Sequence, residues 1–221
     1  MLNSSPFTPR NGHGSRRLLT QERLVFVDIE TAGLQTWRPI IQIAAIAVNS
    51  AFREQEVFEE KIQFDERRAV QRTLRKRHYS RARWTAEARR DRDVAVDFGA
   101  FLARHATVDI FSSRGRPCVV AQLVAHNAEF DGPFLRSWFE RLGLFFPGAY
   151  RVFCTMHRAM WLFHEDRSLT PPLDFKLGTL CSHFDVTLRP EEAHDALADV
   201  RATVGLYQAM QKHARQRRMV A

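Results

Sequence analysis

No apolar run in the chain approaches the roughly 20 residues needed to span a bilayer, so neither a membrane span nor a membrane partner is expected. Nor does a short apolar stretch follow the first basic residues. Met1 to Arg17 is rich in Ser, Asn, Gly, Pro and Arg, which excludes a secretory signal and reads as a flexible basic arm over residues 1–20. Cysteine is scarce. Cys118, Cys154 and Cys181 are odd in number, far apart and set among apolar residues. They read as reduced core thiols of a cytoplasmic protein, not as a disulfide framework or a zinc cluster. No internal repeat is present, and low complexity is confined to the two tails.

What is present is enough for one core: 221 residues, 45% of them hydrophobic, predict a single domain over 21–211 with a basic tail at 212–221. The formal charge of +8 is unevenly spread. Residues 67–92 hold 11 Lys and Arg against Glu87 and Asp91, a local net of +9. Residues 1–20 add +3 and residues 212–221 add +4, which leaves −8 on the rest. An acidic body with basic appendages suits a metal site that must also hold a polyanion. A solvated helix face would carry the same run of charge, so both readings of the 67–92 insert stand.

Leu24 to Asp28 reads as a buried strand, Ile40 to Val48 (IIQIAAIAV) as a second, and Glu56 to Phe64 alternates as a third, the three forming an antiparallel meander. Residues 67–104 read as helical, and a loop at 112–117 precedes a strand from Val119 to Ala125. Asp131, Phe134, Leu135, Trp138, Phe139 and Leu142 fall on one helix face that stops at Gly143. Arg151 to Cys154 is a short strand leading into a helix that ends near Leu162, Leu177 to Phe184 stripe a short helix, and Leu197, Val200, Val204 and Tyr207 mark a long last one. Strands first, then strands alternating with helices, predict an α/β fold built on a mixed sheet.

Three short segments carry the candidate chemistry. Asp28 and Glu30 close the first strand, and side chains two apart in a strand share a face. Two like charges at a buried strand end cost several kcal/mol each to desolvate unless a cation lies between them, and a hard divalent ion is the economical one. A capped strand end is the plainer alternative. His126-Asn127-Ala128-Glu129-Phe130-Asp131 follows a strand directly and opens a helix, where the dipole stabilises a carboxylate; alone, Asp131 is an ordinary first-turn charge and His126 and Asn127 are turn residues. His194 and Asp199 are five apart, about 140° around an ideal helix, so they converge only if His194 precedes the helix, with Asp195 as its N-cap. Together, four carboxylates and one imidazole are the inventory for two-metal hydrolysis of a phosphodiester.

With these residues the chain resembles the DnaQ-like 3′–5′ exonucleases of the DEDDh group, through Val27-Asp28-Ile29-Glu30-Thr31-Ala32-Gly33-Leu34, His126 to Asp131, and His194-x4-Asp199. Ile41 to Ile46 and Lys176-Leu177-Gly178-Thr179-Leu180 resemble the family's second strand and penultimate helix. The resemblance implies a ribonuclease-H-like mixed five-stranded sheet flanked by helices. It also implies two Mg²⁺ or Mn²⁺ ions per active site, held by Asp28, Glu30, Asp131 and Asp199, with His194 as general base. Thr31, Gly33, Leu34, His126, Asn127 and Phe130 would meet the terminal nucleotide, ordinary turn packing being the alternative for Leu34. The substrate implied is a DNA or RNA 3′ end, released as nucleoside 5′-monophosphates.

Two departures qualify the match. Tyr79 and Trp84 interleave the arginines of 67–92, where they stack bases or pin a helix to the core. The chain also ends soon after its last helix, which favours a free-standing nuclease over a polymerase-associated proofreading subunit. The Glu30-Thr-Ala-Gly and Ile-Ala-Ala-Ile segments are similar to ribonuclease T, a dimer that trims RNA, so RNA and a homodimer are leanings. The rival class is a catalytically silent nucleic-acid-binding module.

Overall fold

β-Branched and small apolar residues fill LVFVDIET and IIQIAAIAV, which become β1 (Leu24–Thr31) and β2 (Ile40–Val48). β2 is buried along its whole length because both faces of the sheet are covered there. β3 (Glu54–Lys61) completes the antiparallel meander. The computed structural model describes residues 23–75, 79–112, 115–189, 191 and 194–220, so the expected arm at 1–20 lies outside the described residues.

A 3-10 turn at Glu66–Arg68 leads to helices α1 (Gln71–Leu74), α2 (Arg81–Glu87) and α3 (Asp91–Arg104). β4 (Val108–Phe111) and β5 (Pro117–Val120) pair as a separate two-stranded sheet. β6 (Gln122–Ala125) then runs parallel to β1 and feeds α4 (Ala128–Arg141). β7 (Phe153–Cys154) runs parallel to β6 and feeds α5 (Thr155–Glu165). α6 (Leu177–His183) and α7 (Ala196–Val220) follow. The main sheet has five strands in the order β3-β2-β1-β6-β7, the mixed sheet expected.

Alternation along β1 sorts the layers. Val25, Val27 and Ile29 face α3 and α4, where Phe98, Phe134 and Phe139 are fully or almost fully buried. Each such ring contributes about 1.5–3 kcal/mol by leaving water. Phe26 faces the opposite layer, covered by Ala196, Val200 and Val204 of α7. The far side of α7 packs Ala202, Leu206 and Met210 on Ala159, Phe163 and Leu180 of α5 and α6. α7 is therefore wedged between the sheet and a helical outer layer. No helix among the described residues is long and apolar enough to cross a membrane.

Several element boundaries differ from those the sequence predicts. β1 runs three residues past Asp28, so the carboxylate pair lies inside the strand, just before an irregularity in the ladder at Glu30/Thr31. The strand expected over Val119 to Ala125 divides at Ala121, whose N–H donates to the Pro147 carbonyl at 2.9 Å and whose carbonyl accepts from Ala149 at 2.8 Å. Residues 67–104 form three helices instead of one continuous stretch. The break before α3 is held by the end of β3: Arg89 N–H donates to Lys61 O at 2.9 Å and Gln63 N–H to Arg89 O at 2.8 Å.

Candidate active site

Asp28 and Glu30 point to the α7 side of the sheet, with Phe26. Opposite Asp28 on β2 is Ala44, which puts no bulk in its way, and opposite Glu30 is Gln42. α7 starts beside them with a built cap: the Asp195 carboxylate accepts from Ala198 N–H at 3.2 Å, and the Asp195 carbonyl accepts from Asp199 N–H at 2.9 Å. His194 stands before the helix in the left-handed region, φ 68°, and its N–H donates to Asp199 Oδ2 at 3.2 Å. The turn brings Glu30, His194 and Asp199 together, with ligand atoms all within 4.8 Å of one another. His194 Nδ1 is 4.0 Å from Glu30 Oε1. Glu30 is 1% exposed and Asp199 9%, whereas the His194 ring is half-exposed.

Asp28 and Asp131 lie outside this tight group. Asp28 is half-buried, two residues back on the same strand face. Asp131 is 2% exposed in the first turn of α4, just after the C-terminal end of β6. The electrostatics of the α7 corner reach into α6: burial, and then the Asp199 carboxylate, push the Cys181 thiol up to about 11. Cys181 is accordingly a buried neutral thiol, while Cys118 and Cys154 are only half-buried.

Gln42 lies inside the Ile41–Ile46 segment but is not among the candidate site residues read from the sequence. It is 2% exposed, and its amide donates to Asp195 Oδ2 and to Glu59 Oε1, both at 3.3 Å. The strand thus holds the cap of the helix that carries Asp199. Its mark in the sequence is plain in retrospect: one polar residue in the nine of IIQIAAIAV.

A cleft of about 700 Å³ opens from His194 and Asp199 past Asn127, between Met156 and Met160 of α5 and the Lys176–Thr179 segment. His126 helps form its wall. Its Nε2 lies 3.0 Å from the Phe175 carbonyl, an acceptor only, so Nε2 carries the proton and Nδ1 accepts from the Thr155 hydroxyl at 2.9 Å. Burial holds the His126 pKa below its usual value. Asn127 stands at the N-cap position of α4 in the left-handed region, φ 63°, without a side-chain capping hydrogen bond. Phe130 rests on Phe134, ring centroids 4.6 Å apart.

On the other side, the Thr31 hydroxyl donates to Gly33 O at 2.7 Å, and a Cβ at Gly33 would meet Arg38 Cγ at 2.9 Å. Leu34 beyond it is 71% exposed. Arginines strap this loop: Arg141 donates to Thr36 O at 2.7 Å and Arg68 to Trp37 O at 2.8 Å. The aromatics of the basic insert belong to the core. Trp84 is 4% exposed and its indole N–H donates to Ile41 O at 3.1 Å, with the Tyr79 ring 5.1 Å away.

A mixed sheet in this order, with acidic residues on its central strand β1 and in the first turns of α4 and α7, defines the class: a ribonuclease-H-like fold of the 3′–5′ exonucleases. The chain matches the 3′-5′ exoribonuclease Rv2179c-like domain over residues 23–211 and belongs to that family. It is similar to a PolC-type DNA polymerase III of Bacillus subtilis (strain 168), 28% identical over 204 residues that make up 91% of this chain and 12% of the polymerase. E. coli exonuclease I in complex with a dT13 oligonucleotide has the same fold, with a TM-score of 0.69 at 20% identity over 90% of this chain and 43% of that one. The zinc-bound form of the E. coli exonuclease I–ssDNA complex gives 0.69 at 18% identity, over 87% and 41%. This chain therefore spans less than half the length of those relatives.

Proposed function

We propose that the protein is a metal-dependent 3′–5′ exonuclease that hydrolyses the terminal phosphodiester of a polynucleotide and releases a nucleoside 5′-monophosphate. The observation that carries this reading is the convergence of Glu30, His194 and Asp199 within 4.8 Å. Two carboxylates that are 1% and 9% exposed, set against each other, are a donor set suited to a hard divalent cation. Glu30 and Asp199 would hold one Mg²⁺ or Mn²⁺, Asp131 would serve a second, and Asp28 would serve both. Bound there, such ions supply a water acidic enough to attack at neutral pH and offset the charge on the leaving oxygen.

The residues of the chain do the rest. The half-exposed His194 ring takes a proton from the attacking water as its oxygen bonds to phosphorus, and passes it to solvent. The P–O3′ bond breaks, and the departing 3′-oxyanion takes a proton from solvent to become the new 3′-hydroxyl of the shortened strand. The family is one of exoribonucleases by name, which supports an RNA 3′ end as the first substrate to try. A single exonuclease domain at 21–211 and a cytoplasmic setting belong to the same reading; the odd, scattered cysteines support the setting.

The test uses 5′-labelled RNA and DNA, single-stranded and duplex, with Mg²⁺ or with EDTA. The expected result is a ladder shortening from the 3′ end only with metal, and its loss in Asp199→Ala. Near-normal turnover in Asp199→Ala would sink the assignment of the site. A shifted but undigested strand would instead make the protein a binding module.

A further inference from the structure

We propose that the exposed face of α5 is a stacking platform for the single strand that trails away from the cleft on the 5′ side of the reacting end. Trp161 is 64% exposed and Met160 is 41% exposed. Tryptophan is mostly buried in folded proteins, so an open one asks for a partner. His157, Met160, Trp161 and His164 enclose a shallow hollow of about 400 Å³. Their spacing puts them on one side of the helix. The Trp161 and His164 rings stand edge to face, 84° apart with centroids 5.8 Å apart, so the platform is preset.

Two contacts join it to the candidate site. Met160 lines both this hollow and the cleft that holds His194 and Asp199. His157 Nε2 lies 3.9 Å from Glu129 Oε1, in the first turn of the helix that carries Asp131. A strand whose 3′ end occupies the cleft therefore leaves it over Met160 and reaches Trp161 next. Splayed bases offer π-faces that a duplex hides, and stacking on an aromatic ring tolerates any sequence. Lys176, on the wall of the cleft, is paired with Asp174 (Nζ to Oδ2 2.6 Å) and would exchange that partner to meet the backbone. Four side chains are also far from the about 20–30 residues a side that a stable protein interface uses, which argues for a strand over a second copy of the chain.

This inference rests on the exonuclease reading, and one set of measurements separates the two. Fluorescence anisotropy in EDTA gives the affinity of the intact protein for labelled oligo(rA) of two lengths, a dinucleotide and about ten nucleotides, the scale of a single-strand site. The wild type should bind the longer strand more tightly. Trp161→Ala should reduce that gain by about five-fold or more, the low end for one lost stack, and Trp161→Phe should keep most of it. A long-strand affinity unchanged in Trp161→Ala, or an equal loss in Trp161→Phe, overturns the platform. So does a change in the sedimentation of the protein alone without a change in strand affinity, which would mark a face between copies. Adding Mg²⁺ then reads the other proposal: Trp161-dependent binding without 3′ shortening defeats the exonuclease reading and leaves the platform standing. Shortening with Trp161-independent binding does the reverse.

Discussion

His194 sits at φ 68°, a backbone conformation that costs an ordinary L-residue about 1–2 kcal/mol. The strain has a use: it turns the chain so that the His194 N–H meets Asp199 Oδ2 while its ring approaches Glu30. Glycine adopts this conformation without steric cost. His194→Gly should therefore keep or raise the thermal midpoint while turnover falls by about 100-fold or more, the usual worth of a general base. Unfolding by circular dichroism and single-turnover hydrolysis read the two effects separately. A parallel fall in both would make His194 a structural residue. At this scale the sequence was partly legible. Two-residue spacing put Asp28 and Glu30 on one face, and five-residue spacing required His194 to precede the helix. Gln42 was missed because its partner, Asp195, lies 153 residues away and no local pattern points to it.

Among the elements, α7 carries the most. One side covers Phe26 and Ile46 of the sheet, another packs on α5 and α6, and its first turn presents Asp199. The Asp195 cap fixes where that turn begins. Asp195→Ala should cost about 1 kcal/mol of stability, the typical worth of a cap, and Asp195→Asn should restore it. Because His194 and Asp199 flank the cap, turnover should fall further than that loss of stability explains. Differential scanning calorimetry with rates measured well below the midpoint tests this; unchanged turnover in Asp195→Ala would mean that the cap serves folding alone. The first strands were legible because β1 opens on an apolar run and β2 is apolar but for Gln42. The 67–104 region was not, because its breaks come from contacts remote in sequence: Trp84 to Ile41 O, and Arg89 to the end of β3. β4 was missed as well, being four residues long and paired only with β5, outside the main sheet.

Over the whole molecule, charge is sorted less simply than the composition implied. Several arginines of the basic insert are matched by local acids: Arg67 by Asp65, Arg81 by Glu66, Arg89 by Glu60 and Asp97, Arg90 by Asp93. Such exposed pairs are screened by water and add little to stability, yet they decide where these side chains rest. The buried acids at the site weigh more heavily on stability, because little water is left to screen them. A divalent ion that binds only the folded state should raise the unfolding midpoint as its concentration rises, worth about 2.7 kcal/mol at a hundredfold excess over Kd. Mg²⁺ or Mn²⁺ titration by thermal shift should show this in the wild type and lose it in Asp199→Asn. An equal rise in both would place the ion elsewhere.

The candidate site is assembled from opposite ends of the chain: Asp28 and Glu30 on β1, Asp199 on α7. A chain emerging from the ribosome shows its first acids early and can begin to order β1–β3 while the last helix is still unmade. On the proposed assignment, an unfinished copy has no Asp199, no His194 and so no means of cutting. On the same assignment, β1 alone cannot make the site: it is complete only once α7 has been made and has packed against β1.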